Sequence, residues 1–196
     1  MTDESLTFLI AEDDRDLLSI VSDYVQHCGH TIWTACDGQQ AWSLAQLHDF
    51  DAALLDVVMP ELSGVDLIPR LRELQPGITI FLMTAYGTIE QAVEAMKSGA
   101  LDYLEKPVTL PRVREIIERA VQEKRQLEQA WEMLSGRERE VLQVLAEGKS
   151  DVEIAQALNV SKYTVSTHVR NILTKLNVEN RVQAAVAWDR WARGKE

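Results

Sequence analysis

Cysteine is nearly missing from this chain. Cys28 and Cys36 are the only two, without metal-ligand spacing or secretory context, so they read as reduced packing residues of a cytosolic protein. Long apolar runs are missing too: none approaches the ~20 residues of a membrane-spanning helix, and the acidic N-terminus has no signal-peptide pattern. Basic charge is scarce, 20 Lys+Arg against 31 Asp+Glu for a net −11, which at first argues against nucleic acid. The deficit is uneven. Residues 1–118 carry 20 acidic and 7 basic side chains, a net of −13, whereas residues 119–196 carry 11 and 13, a net of +2. Between Asn159 and Val178 the acids vanish, while Lys162, Arg170 and Lys175 are present. An acidic module joined to a locally basic one points to two functions, and 196 residues suffice for two small domains.

Over the first 120 or so residues, short apolar runs alternate with amphipathic patterns. Runs at 6–11, 31–35, 51–55, 78–83 and 101–104 have strand length. Between and after them, Leu17, Leu18, Val21, Tyr24, Val25 and Cys28 recur at helical spacing. So do Leu67, Ile68, Leu71 and Leu74, then Ile89, Val93 and Met96, then Val113, Ile116 and Ile117, and a further helix covers 39–48. Five βα units predict an α/β doubly wound, five-stranded parallel sheet with right-handed crossovers.

Past Val113 the helical pattern continues. Val113, Ile117, Ala120, Lys124, Leu127, Trp131 and Leu134 are spaced four and three apart, an a/d seam with one polar member. Two uses are open: a linker helix packing one face on its neighbours, or a coiled coil between two copies. Ser135-Gly136 breaks the pattern, after which 137–147, 151–158, 162–176 and 181–192 read as an all-α tail. The predicted division is 1–122 for the α/β domain, 123–134 for a linker helix continuing its fifth helix, and 135–196 for the helical domain.

The reactive groups collect at strand ends. Glu12-Asp13 follow the first run, Asp56 the third, Thr84 the fourth and Lys106-Pro107 the fifth. In an open parallel sheet, ligands sit outside the carboxyl ends of the strands. The fold should therefore gather three carboxylates, a hydroxyl and an ammonium. Clustered carboxylates repel one another unless a cation sits among them, and hard oxygen ligands favour Mg²⁺, with Mn²⁺ as the alternative. Asp56 is the candidate nucleophile toward phosphorus, Asp13 a direct metal holder and Glu12 one acting through water, Lys106 the partner of Asp56, and Thr84 a donor to a phosphoryl oxygen. Taken singly, each could be a cap, a strand residue or a loop. Five suitable residues at successive strand ends are hard to obtain that way. Asp14 and Asp16 read as helix-start residues. A carboxylate-nucleophile phosphatase commonly needs a second Asp two residues later, where Val58 stands. A flavin or nucleotide binder should offer Gly, Ser and Thr in the first loop, where Glu12-Asp13-Asp14 would repel a phosphate.

The segments FLIAEDD, ALLDVVMPELSGVDL, FLMTAYG and SGALDYLEKP resemble the receiver domain of bacterial two-component response regulators, over roughly residues 5–122. The resemblance implies a flavodoxin-like fold and phosphotransfer to Asp56 from the phosphohistidine of a histidine kinase. It also implies a metal site completed by the backbone carbonyl of Val58, a cis Lys106-Pro107 peptide, and Tyr103 as a switch aromatic that turns inward when Thr84 moves toward the phosphate. Such a domain accepts a phosphoryl group and loses it by itself; it is not a substrate-turnover enzyme. Glu12 stands where many members have Asp, and Val58 and Tyr86 hold positions that tune phosphate lifetime. The stretch MTAYGTIEQAVEAMKSGALDYLEKP also resembles NtrC-type receivers, but no ATPase domain is present, so activation through ATP hydrolysis is not expected.

In the tail, 151–158, the turn Asn159-Val160-Ser161 and 162–176 make a helix-turn-helix pattern, with Ser161 as the second helix's N-cap. Val165, Val169, Ile172, Leu173 and Leu176 form one apolar stripe facing Ile154 and Leu158. The opposite face carries Tyr163, Ser166, Thr167, Arg170, Asn171 and Thr174 and no carboxylate, which suits a major groove; a solvated surface helix is the plain alternative. The wording LSGREREVLQVLAEGKSDVEIAQALNVSKYTVSTHVRNILTKLNVENRVQAAV is similar to the LuxR/FixJ-type DNA-binding domain, over about residues 133–190. It implies binding to double-stranded promoter DNA. Lys162, His168 and Lys175 are the expected phosphate contacts beside Tyr163, Ser166, Thr167, Arg170 and Asn171, with His168 open between that role and packing at the helix edge. Asp151-Val152 replaces the usual Asn-Lys, and Ser166 stands where Lys is frequent, so non-specific affinity should be modest and dimerisation correspondingly important. The last helix, with Val182, Ala185, Val186, Trp188 and Trp191, is a dimerisation helix by resemblance, and packing on its own domain is the competing use. The combined expectation is a cytoplasmic response regulator, without membrane attachment, in which phosphorylation of Asp56 controls DNA binding and transcription. It would be homodimeric when phosphorylated and would act with RNA polymerase. A receiver that signals to a protein partner while DNA binding stays constitutive is the remaining alternative.

Overall fold

The computed structural model describes residues 5–85 and 96–193; Tyr86, Ile89 and Val93, singled out above, lie outside the described residues. The first unit holds β1 (Thr7–Ala11), α1 (Arg15–His27), β2 (Thr31–Ala35), α2 (Gly38–Leu47), β3 (Ala52–Asp56), α3 (Gly64–Leu74), β4 (Thr79–Thr84) and β5 (Asp102–Glu105). A 23-residue helix, α4 (Leu110–Glu132), follows, and then α5 (Gly136–Ala146), α6 (Asp151–Ala157), α7 (Lys162–Lys175) and α8 (Arg181–Arg193). The chain forms two compact units that divide between Lys124 and Arg125, inside α4.

All strand pairs are parallel, in the order β2-β1-β3-β4-β5. This is the flavodoxin-like order, whose direction of winding reverses between β1 and β3 and leaves a crevice at their carboxyl ends. The strands read as continuous apolar runs because both faces are covered. On one face Leu9, Ala11, Ala53, Leu55, Ile80 and Leu82 pack with Ala41, Ala45, Leu67, Ile68 and Leu71 of α2 and α3. On the other, Phe8, Ile10, Leu54, Phe81 and Met83 pack with Val21 and Val25 of α1 and with Val113, Ile116, Ile117, Ala120 and Val121 of α4. Alternate residues of one strand serve opposite cores, as the period of two requires.

Short polar residues start the helices. Asp14, Asp37 and Ser63 accept hydrogen bonds from the first backbone N–H groups of α1, α2 and α3, and Ser135, Ser150 and Ser161 do so for α5, α6 and α7. Each such cap stabilises its helix by about 1 kcal/mol. The turn between α6 and α7 passes through Asn159 at φ 53, a left-handed conformation that Asn tolerates better than most side chains.

The a/d seam is occupied within the chain. Val113, Ile117 and Ala120 are buried in the first unit, and Trp131 and Leu134 are buried in the second, with Leu127 packed against that core. Lys124, its polar member, pairs with Asp51 at 3.2 Å. The seam residues thus have partners within the chain, as the linker reading requires. The core of the second unit adds Val141, Leu142, Leu145, Ile154, Val165, Ile172 and Leu176 from α5, α6 and α7, with Ala184 and Ala187 of α8. Trp188 and Trp191 of α8 lie against Trp131, with ring centroids 6.3 and 5.1 Å from it, so these two residues pack on their own domain. Among the described residues no helix is long and apolar enough to cross a membrane.

Candidate functional site

The crevice beside β1 and β3 is lined as the strand-end pattern requires. Glu12 follows β1 directly and is 1% exposed, Asp56 closes β3 at 4%, and Asp13 is exposed. One carboxylate oxygen from each of Glu12, Asp13 and Asp56 lies within 4.8 Å of the other two. Lys106, just past β5, reaches across: its Nζ donates to Asp56 Oδ2 and to Glu12 Oε1, both at 2.7 Å. The same ammonium lies 2.7 Å from Glu12 Oε2, which has this ion pair but no aligned hydrogen bond. The Val58 N–H donates to Asp56 Oδ1 at 3.2 Å, and the Asp14 N–H to Glu12 Oε1 at 3.3 Å. Thr84 is fully buried at the end of β4, and its carbonyl accepts from the Lys106 N–H at 2.7 Å. The Lys106–Pro107 peptide bond is cis.

Burial dominates the electrostatics. It pushes the Glu12 carboxyl up to about 7, and the nearby Asp56 charge adds to this against the opposing pull of Lys106. Burial also works against the Lys106 charge, but its hydrogen bonds to Asp56 and Glu12 outweigh that and hold it above the ordinary lysine value. One ammonium among three carboxylates leaves an excess of negative charge. An all-oxygen donor set with that excess fits a hard divalent cation such as Mg²⁺, which takes one or two carboxylates and keeps several waters.

Two glycines keep the loop after β3 tight. A Cβ on Gly64 would lie 2.3 Å from the carbonyl oxygen of Asp56, and one on Gly38 would lie 1.8 Å from that of Leu62. Both obstacles are backbone, so a side chain at either position displaces the segment that carries Asp56. Tyr103 packs against the α2/α3-side core, with its hydroxyl buried and without a hydrogen-bond partner. Its ring lies inward already, without the turn that the resemblance implies.

In the second unit, α7 presents Lys162, Tyr163, Ser166, Arg170, Asn171 and Thr174 to solvent, Tyr163 at 82%. Thr167 and His168 are half-buried at the margin. Lys175 behaves differently from the sequence expectation. Its ammonium donates to Glu138 Oε2 at 2.7 Å and to the Met133 carbonyl at 3.1 Å, so it serves the domain's own interior. Glu138 is buried and closes the capping box of α5 with Ser135. Burial alone would raise its carboxyl; hydrogen bonds from Lys175 and Ser135 outweigh that and hold it below the usual range. This stabilisation is present above the ordinary glutamate pKa and is lost as pH falls through the depressed one. Replacing Lys175 by Met should therefore destabilise the second unit by about 1–3 kcal/mol, less than a fully buried pair would lose because Lys175 is partly exposed. Urea melts followed by tryptophan fluorescence measure this. Unchanged stability with weakened DNA binding would return Lys175 to the phosphate contacts.

With this geometry in view, the comparisons with known proteins are specific. The response regulator receiver domain family matches residues 8–118, and the family of bacterial regulatory proteins, luxR family, matches residues 132–188. The transcriptional regulatory protein ZraR of Escherichia coli is 35% identical over 121 residues, covering 62% of this chain and 27% of that protein. The chain thus spans about a quarter of that relative's length. The response regulator protein TmoT of Ectopseudomonas mendocina is 31% identical over 192 residues, covering 92% of this chain and 86% of that protein. Among solved structures, a response regulator protein from Burkholderia pseudomallei, with a phosphorylated aspartic acid, calcium ion and citrate, is 29% identical, covers 83% of this chain and 97% of its own, and superposes with a TM-score of 0.54.

Proposed function

The chain belongs to the response regulators that join a receiver domain to a LuxR-family DNA-binding domain, and from that premise we propose that phosphorylation of Asp56 by a histidine kinase controls its binding to promoter DNA. The observation that carries the reading is the contact of Lys106 Nζ with both Asp56 and Glu12, at 2.7 Å each, in the crevice between β1 and β3. That arrangement holds a nucleophilic carboxylate, a cation ready for a phosphoryl oxygen and a carboxylate-rich metal pocket in one place. The phosphorylated aspartic acid of the Burkholderia pseudomallei relative supports it.

An Asp56 oxygen attacks the phosphorus of a kinase phosphohistidine. The O–P bond forms as the P–N bond breaks, and the electron pair returns to the imidazole nitrogen, which takes up a proton. Mg²⁺, held by Glu12, Asp13, Asp56 and the Val58 carbonyl, would neutralise charge on the phosphoryl oxygens. Lys106 moves from the Asp56 oxygen to one phosphoryl oxygen, and Thr84 donates to another. With Thr84 drawn to the phosphate, Tyr103 would be held in the inward place rather than swung into it, and the equilibrium shifts toward the DNA-binding form; no new fold is required. Val58, 62% exposed beside Asp56, leaves access for the water that ends the signal by hydrolysis. A cytoplasmic location, RNA polymerase contact and a phosphorylation-dependent homodimer complete the proposal. DNA retention measured with and without acetyl phosphate and Mg²⁺ tests it. Retention should rise with the phosphodonor; equal retention would mean constitutive binding and a protein partner for the receiver.

Metal binding has a predicted pH dependence. A protonated Glu12 offers no carboxylate to the metal or to its bound water, so protons compete with Mg²⁺ below about 7. Affinity should fall roughly tenfold between pH 8 and pH 6, with proton release on binding at the lower pH. Calorimetric titration in buffers of different ionisation enthalpy measures both. Glu12→Gln should weaken binding and flatten the dependence; an unchanged slope would remove Glu12 from the metal site.

A further inference from the structure

Two of the three positions where the DNA-binding segment departs from its family's usual wording, Asp151 and Ser166, touch each other. Ser166 lies 15 residues after Asp151, exposed on the outer face of α7, and its Oγ donates to Asp151 Oδ2 at 2.9 Å. Asp151 Oδ1 in turn accepts from Arg181 Nη1 at 3.0 Å, and Arg181 Nη2 donates to the Lys149 carbonyl at 2.6 Å. The arginine compensates a carboxylate that would otherwise repel DNA phosphates from this surface.

A hydroxyl inside a helix usually donates to the carbonyl four residues back. Thr167 and Thr174 on the same helix do so, to the Tyr163 and Arg170 carbonyls at 3.0 and 3.1 Å. Ser166 donates across to another helix instead. A bond to a carboxylate is roughly twice as strong as one to a neutral acceptor, so this hydroxyl is held more firmly than its neighbours. A serine has one hydrogen to give. With it committed to Asp151, only lone pairs are left to face outward. A free Ser in a major groove reads donors or acceptors alike; a Ser that can only accept discriminates between base edges.

We infer that Asp151 positions Ser166 as a fixed acceptor on α7, so that the contacted base in each half-site is chosen for the amino group it presents in the major groove, adenine N6 or cytosine N4. Guanine O6 and N7 and thymine O4 are disfavoured there, because each would set lone pairs against lone pairs. The inference rests on the DNA-binding reading and names a specificity-determining contact within it. Asp151 acts through Ser166 and is a positioning residue.

The test is selection of bound DNA from a random-sequence pool by the full chain, given acetyl phosphate and Mg²⁺, followed by sequencing. The unaltered protein should favour adenine or cytosine over guanine or thymine at one position by about fivefold or more. Ser166→Ala and Asp151→Ala should each reduce that preference to below about twofold, the double variant should reduce it no further, and preferences elsewhere should be unchanged. Asp151→Leu, similar in size and without an acceptor, gives the same reading if the alanine variant fails to fold. Equal weakening at every position in the Asp151 variants would mean a purely structural tie and overturn the inference. So would a preference that vanishes in Ser166→Ala but persists in both Asp151 variants. A pool from which the unaltered protein enriches no sequence would overturn the DNA-binding reading itself.

Discussion

Asp56→Asn is expected to abolish labelling of the chain by acetyl phosphate or by a phosphorylated kinase, and with it all phosphodonor-stimulated DNA binding. The amide is nearly isosteric, so the Val58 N–H, now 3.2 Å from Oδ1, can keep an acceptor. What disappears is the nucleophile, since a neutral amide oxygen does not displace imidazole from phosphorus at a useful rate. The Lys106 ion pair with Asp56 is lost as well, leaving the ammonium to Glu12 alone. The fold should not suffer, because the substitution also removes a repulsion between two buried carboxylates. Intact-mass measurement after incubation with the phosphodonor decides the matter. One phosphoryl group per chain on the Asn variant would defeat the assignment of Asp56.

The largest effect at the DNA end is expected from Arg170→Ala. Arg170 is exposed on α7, and among the described residues its guanidinium makes no ion pair, so it is available to a guanine edge or a phosphate. A bidentate arginine–guanine contact contributes about 1–3 kcal/mol of discrimination, and a dimer on two half-sites would use it twice. Affinity for a selected site should therefore fall roughly a hundredfold or more, while affinity for unrelated DNA falls much less. Competition gel shifts with selected and scrambled duplexes measure the ratio. An equal loss on both duplexes would make Arg170 a phosphate contact without a reading role.

Much of this architecture was legible from the chain alone, for identifiable reasons. Strands buried on both faces leave continuous apolar runs, and the runs at 6–11, 51–55 and 78–83 lie within one residue of β1, β3 and β4. Residues at the carboxyl ends of parallel strands must converge, so Glu12, Asp13, Asp56 and Lys106 could be grouped before any distance was known. Local pattern says nothing about partners distant in sequence. The bond from Lys175 to Glu138 spans 37 residues, and a lysine on a basic helix gives no sign that its ammonium turns inward. From the sequence Gly38 reads only as half of the Asp37-Gly38 turn and Gly64 only as part of a motif, because close backbone approach leaves no periodic trace. The a/d seam of α4 was visible as a stripe, but a stripe does not say whose side chains cover it. Here they come from the chain itself.

The stacked indoles of the second unit have an optical consequence. Trp131, Trp188 and Trp191 lie with ring centroids 5.1–6.3 Å apart, close enough for their electronic transitions to couple. The other two tryptophans belong to the first unit, Trp33 stacked on His48 and Trp42 beneath the Arg70 guanidinium. The chain thus carries an intrinsic chromophore trimer confined to one unit, and its exciton signal in circular dichroism follows that unit without any attached label.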